Sequence, residues 1–315
     1  MRAIQIVELS GPESALKLVD IPEPDGDGVV IDVRAAGVSF PEVLQTRGAY
    51  QLKPDLPFVP GSEVAGVVRR AGGGFEVGDR VAAFPMLGGF AEVAVAPAHF
   101  TFKLSDDLDF AQGAGLILNY HTAFFSLVTR GRLQAGETVL VHGAAGGVGT
   151  ATLQVAKGLG ARTIAVVSTD EKERVARAAG ADEVVRADGF KDAVKALGGA
   201  DLIVDPVGGD RFTDSLRSLR PEGRLVVVGF TGGSIPEVKV NRLLLNNIDV
   251  VGAGWGAYLG TRPELIGEVA AELDKLIAAG HVRPFVGARL PLEQASEALR
   301  LIDGRGATGK VVLEP

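Results

Sequence analysis

A glycine-rich turn at residues 143–149 is the stretch of this sequence with the clearest capacity for chemistry. It follows an apolar run at residues 139–141, of the kind found in strands that are buried on both faces. After the turn, apolar or small residues recur at helical spacing over residues 148–159. A strand, a glycine turn and a helix together present backbone N–H groups and a helix N-terminus to a phosphate.

The glycines of this turn match the dinucleotide-binding pattern G-x-G-x-x-G, with Ala144 in place of the first glycine. Gly146 and Gly149 occupy the other two positions. Glycine is needed there because a side chain would hold a pyrophosphate away from the backbone and the helix away from the sheet. The alternative is an ordinary strand-to-helix turn that binds nothing, but the flanking strand and helix favour dinucleotide binding. We expect Gly146, Gly147 and Val148 to contact the cofactor.

The residue that ends the next strand indicates which dinucleotide is bound. An acidic residue here, about 20 residues after the glycines, accepts a hydrogen bond from the ribose 2′-hydroxyl of NAD. This chain has Ser168, which together with Lys172 favours the 2′-phosphate of NADPH. Asp170 and Glu171 oppose that interpretation if they face the phosphate, and residues 168–170 also suit a simple helix cap. We expect NADPH rather than NADH.

Composition limits the class of protein. The 315 residues suggest about two domains, and 46% hydrophobic with 23% charged residues is an ordinary globular mixture. A net charge of −7 leaves no basic footprint for nucleic acid or an anionic membrane. The absence of cysteine excludes disulfides, thiolate catalysis and cysteine-ligated zinc. With no signal-peptide core and no apolar run of membrane-spanning length, we expect a cytoplasmic protein.

The elements around the glycine turn divide the chain into two predicted domains. Residues 1–112 carry short apolar strands separated by glycine and proline turns, which indicates a small β-rich domain. Over residues 113–256 strands and helices alternate, as is typical of a parallel sheet with helices on both faces. Residues 257–315 contain two helices and a closing strand, too little for a domain. We expect this tail to pack on the first domain, so that the nucleotide domain is an insertion.

Short motifs spread over essentially the whole chain carry a resemblance to a known family. They are residues 35–39, 47–50, 57–66, 78–81, 142–149, 205–209, 229–230, 254–256 and 308–312. On these motifs the chain resembles the zinc-free quinone oxidoreductases of the medium-chain dehydrogenase/reductase superfamily. The resemblance implies an α/β fold with a GroES-like β-rich catalytic domain and an inserted Rossmann dinucleotide-binding domain. It also implies an NADPH cleft between the domains and a homodimer.

The same resemblance implies roles for single residues. Tyr50 matches the family's active-site tyrosine, which would hydrogen-bond the developing oxyanion of the substrate, although it can equally be an aromatic wall. Thr122 matches a position near the nicotinamide ribose. Ser39 stands where the family often carries an asparagine near the nicotinamide, which leaves the substrate open. Phe230 and Trp255 either line the pocket or belong to the core.

Two further positions depart from relatives. Zinc-dependent members place a histidine ligand in Gly-His-Glu, whereas this chain has Ser62 before Glu63. Serine is a poor zinc ligand, so we expect no catalytic zinc and a structural role for Glu63. Arg186 and Ala187 stand where close relatives often carry Asn-Tyr around the adenine. Arg186 either adds charge for the 2′-phosphate or is simply solvated.

The expected reaction is hydride transfer from NADPH to a small-molecule electrophile, either a quinone or an α,β-unsaturated carbonyl. Two alternatives stay open. An enoyl-thioester reductase of the enoyl-CoA type would use the same fold and would need a positive channel, for which Arg47, Arg69 and Arg70 are candidates. The other is a non-catalytic NADPH-binding protein with a structural or nucleic-acid-binding role, and the negative net charge argues against nucleic acid.

Overall fold

Strands form where apolar and β-branched residues run together, and the computed structural model describes the whole chain, Met1–Pro315. The strands are β1 (Arg2–Ile6), β2 (Leu16–Asp20), β3 (Val29–Val38), β4 (Glu63–Arg70), β5 (Arg80–Ala83), β6 (Val93–Ala96), β7 (Thr101–Lys103), β8 (Thr138–Val141), β9 (Arg162–Val167), β10 (Glu183–Arg186), β11 (Ala200–Asp205), β12 (Leu219–Val227), β13 (Asp249–Gly252), β14 (Val286–Pro291) and β15 (Lys310–Glu314).

The α-helices are α1 (Phe40–Gln45), α2 (Phe110–Gly113), α3 (Thr122–Phe124), α4 (Gly147–Gly158), α5 (Asp170–Ala178), α6 (Phe190–Ala196), α7 (Phe212–Ser218), α8 (Asn241–Asn246), α9 (Trp255–Leu259), α10 (Leu265–Ala278) and α11 (Ala295–Asp303). Short 3₁₀ turns occur at Ala98–Phe100, Gly209–Arg211 and Leu292–Gln294, and π-helical turns at Ile117–His121 and Phe125–Arg130 flank α3. None of these helices has both the length and the apolarity needed to cross a membrane.

The chain divides into two compact units. Unit 1 comprises Met1–Leu118 and Pro284–Pro315. Its main sheet has the order β14-β15-β3-β4-β5-β7, with β6 also paired to β3. The closing strand β15 runs antiparallel to β3, with Val312 opposite Gly37. Ile31, Val64 and Leu299 meet in its core. The C-terminal tail therefore completes the N-terminal sheet.

Unit 2, Asn119–Arg283, is a doubly wound parallel sheet. Its strand order is β10-β9-β8-β11-β12-β13, and every neighbouring pair is parallel. Leu140, Ile164 and Ile203 are fully buried on adjacent strands, as expected for strands covered on both faces. The strand order reverses between β8 and β11, which makes their carboxyl ends the switch point where such sheets bind ligands. The prediction of a β-rich domain interrupted by an inserted nucleotide-type domain is confirmed.

The boundaries of the units differ from those predicted. The inserted domain is predicted at residues 113–256, whereas unit 2 runs from Asn119 to Arg283. Residues 257–283 group with unit 2 because they are tied to α4. The Gln154 amide donates to the Arg283 carbonyl at 2.9 Å and accepts the Arg283 N–H at 2.9 Å. Gly158 leaves room for His281, since a Cβ on Gly158 would lie 3.0 Å from the His281 Cβ.

Candidate functional site

The glycine turn lies at the carboxyl end of β8, in the middle of the unit 2 sheet. Gly143 adopts a φ of 57°, and its carbonyl accepts the N–H of Gly146 at 2.9 Å, which closes the turn. Gly146 is the N-cap of α4, and the Thr150 N–H donates to the Gly146 carbonyl at 2.8 Å. The amides of residues 147–149 precede this hydrogen bond and have no helical acceptor. They form a group of donors at the positive end of the helix dipole.

Side chains are absent at Gly149 and Gly146 for two different reasons. A Cβ on Gly149 would lie 2.2 Å from the Gly143 oxygen, so glycine there lets the helix pack on the turn. A Cβ on Gly146 would meet only the Gly143 oxygen, at 3.4 Å. It would project into open space in front of the helix. This open glycine cradle, with Gly147 and Val148 at its edge, has the room and the N–H donors that a dinucleotide diphosphate requires.

Polar side chains follow the two neighbouring strands, β9 and β10. Ser168 is exposed directly after β9. The Thr169 hydroxyl accepts the N–H of Lys172 at 3.2 Å, so residue 169 caps α5 and places Lys172 in its first turn. Arg186 ends β10 in register with Val167. The three residues considered for a 2′-phosphate, Ser168, Lys172 and Arg186, therefore follow adjacent strand ends.

Arg186 also offsets negative charge near Ser168. Its guanidinium donates to the Asp170 carboxylate and, at 2.8 Å, to Glu173. Asp170 is one of the two acidic residues whose presence in the sequence opposes a bound phosphate. Because Arg186 neutralises it, the surroundings of Ser168 are less negative than the local sequence indicates.

The remaining unit 2 residues of the predicted site lie in packed surroundings. Trp255 begins α9 after β13 and is 3% exposed, with its ring in a T-shaped contact to His121 at 5.7 Å between centroids. Phe230 follows β12 and packs on Gly208, where a Cβ would lie 2.9 Å from the Phe230 ring. Thr122 is buried at the start of α3, between the two π-helical turns. Such turns are rare and are frequently found at functional sites.

His142 and Asp205 lie on the two sides of the switch point, after β8 and at the end of β11. Burial lowers the pKa of His142 to about 4, with Arg211 acting in the same direction and Asp205 against it. Its Nε2 lies 2.8 Å from the Ser215 hydroxyl, which itself donates to the Arg211 carbonyl. Nε2 therefore carries the proton. One Asp205 oxygen accepts two N–H groups of the following turn, at 2.8 and 2.9 Å, so Asp205 orders the turn after β11.

Unit 1 contains a buried polar cluster beside α1. Lys310 is 3% exposed and its Nζ donates to the Ser39 hydroxyl at 2.6 Å and to the Glu63 carboxylate. The other Glu63 oxygen accepts the N–H of Leu118 at 2.9 Å. A buried ammonium thus neutralises a buried carboxylate, which gives Glu63 a structural role. No role is predicted for Lys310 from the sequence.

Glu42 joins the same cluster to Tyr50. One Glu42 oxygen accepts the N–H of Ser39 at 2.9 Å, and the other accepts the Ser62 hydroxyl at 2.7 Å. Burial raises the pKa of Glu42. Tyr50 follows α1 and is half-buried, and its pKa is raised first by burial and second by the charge of Glu42. The Tyr50 phenol therefore stays protonated and remains a hydrogen-bond donor at neutral pH.

A zinc ion does not fit this cluster. The Ser62 hydroxyl donates its proton to Glu42, and both oxygens of Glu63 are engaged. The Lys310 ammonium in contact with Glu63 would repel a second cation, and the chain has no cysteine to supply a thiolate. The donor set at this place therefore does not suit a metal cation.

Comparison with known proteins agrees with both units. The zinc-binding dehydrogenase family matches residues 147–273, and the alcohol dehydrogenase GroES-like domain matches residues 25–106. The quinone oxidoreductase of Homo sapiens is 36% identical over 326 residues, covering 99% of this chain and 97% of that protein.

Solved structures show the same likeness. A probable oxidoreductase from Mycobacterium abscessus is 46% identical, with a TM-score of 0.89 over 100% of this chain and 99% of that one. The quinone oxidoreductase from Thermus thermophilus, solved also in complex with NADPH, is 36% identical, with a TM-score of 0.88 over 100% of both chains. The chain therefore belongs to the quinone oxidoreductase family of the medium-chain dehydrogenase/reductase superfamily, with a GroES-like domain and an inserted Rossmann-type domain.

Proposed function

We propose that this protein is an NADPH-dependent oxidoreductase that transfers hydride to a quinone or an α,β-unsaturated carbonyl compound. The observation that carries the proposal is the open glycine cradle at the N-terminus of the twelve-residue helix α4, beside the switch point of a parallel sheet. The relative from Thermus thermophilus was solved with NADPH, and the human relative is a quinone oxidoreductase.

The cofactor is held at two places in unit 2. The free amides of Gly147 and Val148, with the backbone of Gly146, bind the diphosphate. Ser168, Lys172 and Arg186 bind the 2′-phosphate, since a hydroxyl and two cations recognise a phosphate where an acidic residue would recognise a ribose hydroxyl.

The bound NADPH supplies the hydride, and the chain supplies binding, orientation and a hydrogen-bond donor. Hydride addition to a quinone or enone leaves negative charge on the substrate oxygen, which a positioned donor stabilises. We assign that donor to Tyr50, whose raised pKa keeps its hydroxyl protonated. We assign cofactor contacts to Ser39 in unit 1 and, at the nicotinamide end, to Thr122, Phe230 and Trp255 in unit 2.

The ion-pair and hydrogen-bond partners of the candidate arginines argue against the enoyl-thioester alternative. Arg47 forms a two-pronged ion pair with Asp303, at 3.0 and 2.6 Å. Arg69 pairs with Asp32 at 2.6 Å, and Arg70 donates to a backbone carbonyl. Unlike Arg186, which ends β10 in register with the end of β9, these three arginines adjoin no position where the sequence predicts a bound phosphate.

We also propose a homodimer that forms at the β13 edge of unit 2. The outer side of β13 is unpaired, and an open strand edge is a template for pairing with another chain. The neighbouring α8 exposes 76% of Leu244 and 73% of Leu245. Light scattering after size-exclusion chromatography would give the mass of a dimer, and a monomer at micromolar concentration would contradict the proposal.

Titration and turnover test the proposed function together. Nicotinamide fluorescence should show tighter binding of NADPH than of NADH, and absorbance should report NADPH oxidation by a quinone or an enone but not by crotonyl-CoA. Tight binding without turnover on any acceptor would favour a non-catalytic NADPH-binding protein. Failure to bind either nucleotide would overturn the proposal.

A further inference from the structure

Asn119 is a buried polar residue beside the glycine turn whose side chain is not used within the chain. The residue is 5% exposed, no hydrogen bond joins its amide to another residue, and the amide atoms keep a small contact with solvent. An amide with so little exposure keeps only part of its hydration and has no hydrogen bond within the chain to replace the rest. We therefore expect the Asn119 amide to form its hydrogen bond with a ligand that is not part of the chain.

The position of the amide identifies where that partner binds. A Cβ on Gly147 would lie 2.4 Å from Asn119 Nδ2 and 3.1 Å from its Cγ. The Asn119 amide therefore lies against the first turn of α4, where Gly147 is the first helical residue. Gly147 has no left-handed backbone conformation to require glycine. We conclude that glycine is present at this position because it leaves room for Asn119.

Two independent features thus meet at one place, the unbonded amides at the N-terminus of α4 and the unpartnered side chain of Asn119. We infer that Asn119 is a further cofactor-binding residue, whose Nδ2 donates to an oxygen of the dinucleotide diphosphate. This inference rests on the proposed function. An anionic phosphate oxygen gives the amide a charge-assisted acceptor, and it does so where the helix dipole already favours negative charge.

The test compares two ligands on three variants. Asn119→Ala should raise the Kd for NADPH roughly tenfold, the size of a lost hydrogen bond to a charged group. Asn119→Asp, which has nearly the same shape, should weaken binding further because its carboxylate repels the diphosphate. For each variant, the Kd for 2′-phospho-ADP-ribose, which has the diphosphate but no nicotinamide, should rise by the same factor as the Kd for NADPH. Asn246→Ala is the matched control, since that amide donates only to the Arg242 carbonyl within α8, and its Kd should not change.

The outcomes separate this inference from the proposed function. If the unmodified protein does not bind NADPH, the proposed function fails. If it binds NADPH and Asn119→Ala and Asn119→Asp bind equally well, the inference alone is overturned. A loss confined to NADPH and absent with 2′-phospho-ADP-ribose would also overturn it, because the contact would then be to the nicotinamide half. Circular dichroism melting checks that the variants are folded. If Asn119→Ala does not fold, the Asn119→Asp result decides.

Discussion

Arg186, the last residue of β10, donates a hydrogen bond to Glu173 at a distance of 2.8 Å. The backbone of Arg186 lies in register with Val167 of β9. The pairing sets a cation beside Ser168, at the strand end proposed for the 2′-phosphate of NADPH. Replacement by Arg186→Gln should raise the Kd for NADPH about two- to fivefold, because the side chain is partly exposed and solvent screens its charge. The Kd for NADH should not change, and fluorescence titration of both nucleotides measures the difference.

Arg177→Gln is the matched control for that prediction. Arg177 also pairs with Glu173, at 2.9 Å and from one turn further along α5, but it lies away from the strand end. Equal loss of NADPH affinity in both variants would assign the effect to Glu173 rather than to a phosphate contact at Arg186.

Two glycines of the turn should respond in opposite ways to the same substitution. Gly146→Ala places a methyl group in the open glycine cradle, so NADPH affinity should fall by tenfold or more while the melting temperature stays close to that of the unmodified protein. Gly149→Ala forces the methyl group against the Gly143 oxygen, so the free energy of unfolding should fall by about 1–3 kcal/mol. Urea unfolding and NADPH titration on both variants check this. Loss of stability without loss of affinity in Gly146→Ala would contradict the proposed diphosphate site.

Tyr50→Phe removes the proposed hydrogen-bond donor and keeps the ring. Turnover with a quinone or enone should fall on the order of 100-fold, while the Kd for NADPH stays constant. Because burial and Glu42 raise the pKa of Tyr50 above its ordinary value, turnover should show no decrease from Tyr50 ionisation between pH 7 and about pH 9. Tyr258→Phe, at a tyrosine whose ring packs on Phe125, is the control. Equal kcat for Tyr50→Phe and the unmodified protein would remove Tyr50 from the mechanism.

The stability of the protein should fall as the pH drops below about 6.5, and His142 should account for part of the slope. Burial lowers the pKa of His142 to about 4 in the folded state, so between these pH values the unfolded chain binds more protons than the folded one. One such histidine contributes a slope of up to about 1.4 kcal/mol per pH unit. His121, whose pKa burial lowers to about 3, acts in the same direction.

Urea unfolding of His142→Gln from pH 7 to pH 4.5 should show a shallower slope than that of the unmodified protein. His281→Gln, at an exposed histidine, should keep the full slope. Parallel curves for all three proteins would mean that His142 titrates alike in the folded and unfolded states.

The core of unit 2 could be predicted from the sequence because its signals are local. The apolar run of β8, the glycine turn and the helical spacing of α4 each follow from residues that are neighbours in the chain. The apolar run at residues 139–141 and the helical spacing over residues 148–159 fall within a residue of β8 and α4. Elements without such signals cannot be predicted in this way. β2 alternates weakly and is mostly exposed, α6 has seven residues, and β14 pairs only with β15.

The amino-acid sequence alone was thus enough to specify an interrupted β-rich fold and a dinucleotide-type turn, since both depend on hydrophobic periodicity and on where glycine is placed. Only the tertiary structure decided which charges and amides meet. Lys310 reaches Ser39 across 271 residues of chain, and Asn119 lies against Gly147 through packing between separate helices. Long-range pairs of this kind depend on the three-dimensional path of the chain, and local residue spacing carries no record of that path.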